Sequence, residues 1–303
     1  MPLPIVHHPA YVAPMPAGHR FPMGKFGALM AYLLEQRMVA PEQVHVPELA
    51  PREWLALAHA PAYVDAVLSQ SLDHAAVRRI GLPITLEVAT RSRAANAGTV
   101  LTARLALEHG LACNTAGGSH HAFAAYGSGF CVFNDVAVAA RVLLREALVE
   151  RVLVVDLDVH QGDGTAAIFL DDPRVFTFSM HCRTNFPLRK QRSDLDLALD
   201  AELEDAPYLA LIAEHLAGLL EDVRPDLVFY NAGVDPHVDD RLGRLALSEH
   251  GLWRRERLVL ETCMKAGVPV AGVVVGGYAE NLEQLARLHA ILPKVASELF
   301  ARV

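Results

Sequence analysis

Apolar residues recur along this chain in two alternating rhythms. Short, nearly continuous aliphatic and β-branched runs at 111–117 (LACNTAG), 152–158 (VLVVDLD), 175–180 (VFTFSM), 227–233 (LVFYNAG) and 270–277 (VAGVVVGG) predict strands. Between them, apolar residues three and four apart predict helices over 135–148, 208–223 and 252–267, the last closing on Gly267 as helix C-termini commonly do. Strand and helix in repetition is the pattern of parallel βα units. Strands that are apolar at almost every position must be covered on both faces. The expected fold is therefore α/β, three layers with helices on either side of a mainly parallel central sheet.

The first 90 residues are less regular. Helical spacing shows at 23–36 and 52–72, after a proline-rich loop at 9–22. No internal repeat, low-complexity tract or linker interrupts the chain, so residues 1–303 are expected to form a single domain.

Composition narrows the function classes. With 52% hydrophobic and 20% charged residues over 303 positions, the chain can bury a large core and is too apolar to be disordered. Its formal charge of -8 opposes a sequence-independent grip on nucleic acid. The one dense basic stretch, Arg189, Lys190 and Arg192, reads as a solvated loop. Cys113, Cys131, Cys182 and Cys263 form no C-x-x-C pair, which argues against a structural zinc module and a secreted disulfide framework and fits a reduced cytoplasm. The start, MPLPIVHHPAY, lacks the features of a signal peptide, and no apolar run approaches the roughly 20 residues of a membrane span. A soluble cytoplasmic protein without membrane partners is expected.

Chemistry gathers where the predicted strands end: GGSHH, DLDVHQGDG, SMH, NAGVDPH and GGY follow the five runs in order. In a parallel sheet the carboxyl ends of the strands border the ligand crevice. Asp156, Asp158 and His160 alternate, so an extended backbone turns them to one side. Buried carboxylates pair with cations or coordinate a metal. Mixed carboxylate and imidazole ligation suits zinc, with iron, cobalt or manganese as alternatives. Asp235 is the best third ligand, and three ligands leave a position open for water and substrate. An ordinary strand-end turn with exposed polar groups is the bland alternative. His120 and His121 follow two glycines, and with Asp156 and Asp163 they suggest His–Asp pairs, devices for moving protons beside an ion. Tyr278, after two glycines, can approach the same place and stabilise a developing oxyanion.

In order and separation, GGSHHAFAAYGSGFCVFND, VVDLDVHQGDGT, FSMH, NAGVDPHVDDRLGRLALS and GGY resemble the zinc-dependent histone deacetylase family. That family includes bacterial acetylpolyamine amidohydrolases and acetoin-utilisation proteins and has the arginase-deacetylase fold. HRFPMGKFGAL and AHAPAYVDAV are similar to its N-terminal elements, so the resemblance spans nearly all of the chain. H-Q-G in the second motif and the DDRLG-x-L-x-L-S run look most like class IV.

The resemblance implies a metal-dependent deacetylase or deacylase acting on acylated lysine, in a protein or peptide, or on another acylated amine. It implies zinc, or iron, on Asp158, His160 and Asp235. It makes His121 the general base and acid, paired with Asp163. It makes His120 its electrostatic neighbour, paired with Asp156, and Tyr278 the donor to the substrate carbonyl. Gly129, Phe130 and Phe186 are similar to residues lining the acyl-lysine channel. A structural potassium ion is implied on the carbonyls of Asp156, Asp158, His160 and Met180 with the side chains of Asp158 and Ser179. Two rivals remain: a binuclear-manganese ureohydrolase, in which His237 would serve a second ion, and a silent acyl-lysine or polyamine binding module. Gly162, where ureohydrolases need a carboxylate, and Tyr278 oppose the first.

Overall fold

The five apolar runs all form strands, and they lie side by side as the middle of one eight-stranded sheet. In this computed structural model, which describes residues 2–301, the strands are β1 (Ile5–Val6), β2 (Val44–His45), β3 (Leu111–Asn114), β4 (Val152–Asp156), β5 (Val175–Cys182), β6 (Leu195–Leu199), β7 (Leu227–Ala232) and β8 (Val270–Val274). Their order is β2-β1-β3-β8-β7-β4-β5-β6, and every pairing is parallel. β3, β4, β7 and β8 are buried at every residue, as a sheet covered on both faces requires.

The strands that the apolar pattern does not mark are the edges. β1 and β2 are two residues long, and β6 is only half-buried along most of its length. Four of the predicted runs also overshoot: β3 ends at Asn114, β4 at Asp156, β7 at Ala232 and β8 at Val274. Their last residues leave the ladder to form the loops that carry the polar motifs.

The helices over Lys25–Glu35, Asp135–Arg145, Asp205–Val223 and Glu249–Lys265 match their predicted runs. Asn134 and Ser248 cap two of them, accepting hydrogen bonds from the amides of Ala137 and Gly251. The expected helix over 52–72 is instead two, Arg52–Leu55 and Pro61–Leu68, because a proline has no amide to continue the first and its fixed φ suits the start of the second. The longest helix, Leu86–His109, has no apolar stripe, since it is buried over most of its length and lined by alanine, serine, threonine and asparagine. It packs on Asp135–Arg145, β3 and β8, while Asp205–Val223, Glu249–Lys265 and Ile291–Phe300 pack together as a second set. No described helix is long and apolar enough to cross a membrane. All four cysteines are buried and unpaired.

Because all the strands are parallel, their carboxyl ends emerge along one edge. Asp156 is level with Ser179 on β5 and with Asn231 on β7, and Asn231 is level with Val273 on β8. The loops following these strands are therefore neighbours.

Candidate active site

Asp158, His160 and Asp235 meet at that edge. One ligand atom from each lies within 4.8 Å of the others, and all three residues are buried. His160 Nδ1 is 3.0 Å from Asp158 Oδ1 and 3.2 Å from Asp235 Oδ2. Backbone amides aim the two carboxylates: Gly276 donates to Asp158 Oδ2 at 2.8 Å and Val159 to Asp235 Oδ1 at 3.0 Å. Asp235 Oδ2 is left buried without a hydrogen bond, at a cost of about 1–3 kcal/mol for a neutral group and more for a charged one. A Cβ at Gly276 would collide with both carboxylates, so only glycine keeps the space beside them open.

The electrostatics of this trio call for a cation. Burial and then the charge of Asp158 push the Asp235 carboxyl up to about 7. Burial also opposes charge on His160, but Asp158 and Asp235 outweigh it and hold the ring up at about 10. Burial would likewise raise Asp158, yet His120 and His160 hold it well below the usual carboxylate range. Two carboxylate oxygens, one imidazole nitrogen and an unsatisfied buried acceptor fit a divalent ion of the zinc or iron type.

The adjacent histidines form the two expected pairs. His120 Nδ1 is 2.8 Å from Asp156 Oδ2, and His121 Nδ1 is 2.6 Å from Asp163 Oδ1. Their rings are only 4.1 Å apart between centroids, but their surroundings differ. For His120 the nearby charges of Asp156 and Asp158 overcome burial and raise the pKa to about 9. For His121 burial, helped by the charge of His120, lowers it to about 4. The two neighbouring imidazoles are thus pushed in opposite directions, the kind of separation that assigns different roles to like groups. Asp135 fixes the loop that carries them, accepting from the amides of Gly118 and Ser119 at 3.0 and 2.7 Å. Asn231 Nδ2 orients Asp156 at 3.0 Å.

Tyr278 approaches from the loop after β8, its ring 6.1 Å from that of His160. Burial and then Asp158 and Asp235 raise its phenol well above 10, so it remains a proton donor. The turn is held from three sides. Lys25 Nζ, itself buried, donates to the carbonyls of Val275 and Gly277 at 2.7 and 3.3 Å. Asp240 accepts from the Tyr278 amide at 2.6 Å, and Arg241 Nε donates to the Tyr278 carbonyl at 2.8 Å. Sequence reasoning gave no role to Lys25, Asp135, Asn231 and Asp240, although each lies within a motif quoted above, because they act on the site through backbone or neighbouring side chains.

A cleft of about 410 Å3 leads outward from His121, His160 and Tyr278 past Gly129, Phe130 and Phe186. The Phe186 ring stands edge-on to His121 at 4.8 Å. Gly129, at φ +52°, presses so close to His121 and Phe186 that a Cβ would lie 2.8 and 2.9 Å from their rings. The basic stretch is not simply solvated: Lys190 Nζ donates to the carbonyls of Asn185 and Pro187 at 2.6 and 2.9 Å and so steadies the Phe186 loop. Gln161 is buried and joins the turn that carries Asp158 and His160 to the same loop, with its Nε2 2.8 Å from the Gln191 carbonyl. A smaller void of about 30 Å3, bounded by Arg91, Gly118, His120, His121, Gly276 and Tyr278, lies on the inner side, with room for about one water.

Ser179 is the register partner of Asp156, with Met180 next along β5, so the residues expected around a potassium ion adjoin one another at the β4 turn. His181 Nδ1 lies 3.0 Å from Ser179 Oγ. His237 stands apart from the trio, its Nδ1 accepting from the Asp239 amide at 3.2 Å.

Comparison with known proteins adds to the geometry. A family profile described as "Histone deacetylase domain" matches residues 19–292. An uncharacterised protein of Picosynechococcus sp. is 58% identical over 300 residues, covering 99% of this chain and 100% of that protein. Histone deacetylase 2 of Arabidopsis thaliana is 29% identical over 89% of this chain and 74% of its own length. The acetoin utilization protein AcuC of Staphylococcus aureus is 28% identical over 78% of this chain and 66% of its own. Among solved structures, an HDAC homologue in complex with SAHA superposes with a TM-score of 0.84 at 24% identity, covering 98% of this chain and 84% of that one. The HDA15 HD domain superposes with 0.83 at 20% identity, covering 98% and 88%. Both share the three-layer fold.

Proposed function

The chain belongs to the histone deacetylase domain family, and from that premise we propose that it is a metal-dependent amidohydrolase that removes acyl groups from the ε-amino group of lysine or a related amine. The observation that carries this reading is geometric: Asp158, His160 and Asp235 bring one ligand atom each within 4.8 Å of the others, beside two adjacent buried imidazoles that are each paired with their own carboxylate. Amide hydrolysis must take a proton from water and give one to the amine. A neutral imidazole beside a fixed positive charge suits both steps.

Asp158, His160 and Asp235 would hold the ion, zinc for preference and iron as the alternative. Bound there, the ion supplies Lewis acidity to the amide carbonyl and to water in the position that three protein ligands leave open. His121 takes the proton of the attacking water, with Asp163 holding its other nitrogen, and returns it to the amine nitrogen as the C–N bond breaks. His120 stays charged and offsets the negative charge that builds up. The Tyr278 hydroxyl donates to the carbonyl oxygen as that charge develops. Gly129, Phe130 and Phe186 enclose the substrate's alkyl chain, and the acyl group points to the inner void. A potassium ion on the carbonyls of Asp156, Asp158, His160 and Met180, with the side chains of Asp158 and Ser179, would stiffen the turn that presents the ligands. Gln161 and the DDRLG run favour a class IV relationship, and the four unpaired cysteines a reducing cytoplasm.

The test is a hydrolysis panel of acyl-lysine peptides of increasing acyl length beside acetylated polyamines, with metal analysis of the purified protein. One zinc or iron per chain, with turnover lost on chelation and restored by the metal, is the expected result. Two manganese ions per chain would support a ureohydrolase, and tight binding without turnover a binding module.

A further inference from the structure

The mouth of the cleft carries a charge that the composition of the chain conceals. Arg20, Arg78, Arg79, Arg241 and Arg244 line it and no aspartate or glutamate does, although the chain as a whole carries -8. All five arginines are exposed and come from three separate segments: the loop before Lys25–Glu35, the end of the helix His74–Ile80 and the loop after β7. Among the described residues only Arg241 has an ion-pair partner, Glu280 at 3.0 Å. No described carboxylate lies within the 4.0 Å of an ion pair from the other four.

Placement at the end of a helix accounts for Arg78 and Arg79, whose charges suit its C-terminal dipole. It does not account for Arg20, Arg241 and Arg244. Arg20 and Arg79 also lie over aromatic rings, 6.0 Å from the centroid of Phe130 and 4.7 Å from that of Tyr126. Stacking of this kind holds a guanidinium in place while its N–H groups remain free for carboxylates. Four unpaired like charges around a cleft with low-dielectric walls, with a fifth partly offset by Glu280, repel one another and focus a positive field outward. A ligand of opposite charge turns that repulsion into attraction.

On the amidohydrolase reading given above, we propose that the substrate is an acyl-lysine within an acidic stretch of polypeptide, with aspartate or glutamate side chains on both sides of the acylated residue. A polypeptide fits better than a small anion because the arginines stand on three segments. An extended chain advances about 3.3 Å per residue, so neighbours on either side of the lysine can reach different arginines. Acetylated polyamines carry free ammonium groups and are repelled by the same field.

Charges at the rim of a binding surface act mainly on encounter, so the readout is kcat/KM rather than kcat. Matched acyl-lysine peptides flanked by Glu, Gln or Lys are compared at low and high salt, with an acetylated polyamine and free acyl-lysine as further substrates. The expected order is Glu over Gln over Lys, with about tenfold between the first two at low ionic strength and a smaller ratio at high salt. In Arg78→Glu/Arg79→Glu and in Arg20→Glu/Arg244→Glu, each confirmed as folded by thermal unfolding, the Glu-to-Lys preference inverts. Equal hydrolysis of the three peptides would overturn the proposal and leave the amidohydrolase reading intact. Faster hydrolysis of the polyamine or of free acyl-lysine than of the Glu-flanked peptide would also overturn it. Failure of every substrate with the metal-loaded protein would overturn both.

Discussion

Two hollows of almost equal size lie at opposite ends of the same strands. One, about 400 Å3, sits where β3 and β8 begin and is lined by Leu111, Met264, Val268, Pro269 and Phe300 with the backbone of Gly110. The other, about 410 Å3, opens at the carboxyl ends and reaches His121, His160 and Tyr278. Volume does not tell them apart. The first is lined mostly by apolar side chains, with His109 its one titratable group, and none of its lining residues leaves a buried polar side-chain atom without a partner. At the second, Asp235 Oδ2 is buried without a hydrogen bond, two carboxylates crowd one imidazole, and neighbouring histidines have their proton affinities shifted in opposite directions. Unbalanced polar groups in a rigid frame mark the functional end, because the fold gains nothing from them on its own.

That contrast predicts a graded series of substitutions. Asp235→Asn removes a proposed ligand and should take both bound metal and turnover to background, as read by metal analysis and a peptide assay. Tyr278→Phe should keep the metal and the fold while lowering kcat by about 10²–10³, the usual loss for one oxyanion donor. An undiminished rate would remove the tyrosine from the mechanism. Lys25→Met takes away the amine that holds the Val275 and Gly277 carbonyls, so kcat should fall by roughly tenfold with KM little changed, a smaller loss than for a residue touching substrate. At the other end, Leu111→Ala should lower stability by about 2–5 kcal/mol in denaturant unfolding and leave kcat unaltered below the transition. A loss of kcat there without a loss of stability would erase the distinction between the two ends.

The sequence made the centre of this molecule more legible than its margins. β3, β4, β5, β7 and β8 are long apolar runs because both faces are covered, whereas β1, β2 and β6 lie at the edges, where two residues or a half-buried face leave little pattern. The helix Leu86–His109 was hidden for the opposite reason: burial over most of its length removes the polar face that makes a helix visible as a stripe. At the site, the motif-bearing residues were readable because D-x-D-x-H and the paired histidines are costly to bury without a purpose. The roles of Lys25, Asp135, Asn231 and Asp240 were not, since each holds a backbone group or side chain from a segment distant in sequence. The arginine rim was invisible too, because three distant segments meet there in a chain whose overall charge is negative.

The central claim concerns one place in space, and an anomalous-scattering crystal structure of the zinc-loaded protein addresses it directly. A single peak within about 2.0–2.2 Å of carboxylate oxygens from Asp158 and Asp235 and of His160 Nδ1, with a further position facing His121 and Tyr278, is the predicted result. A peak elsewhere, or two metal peaks bridged by these carboxylates, would contradict it.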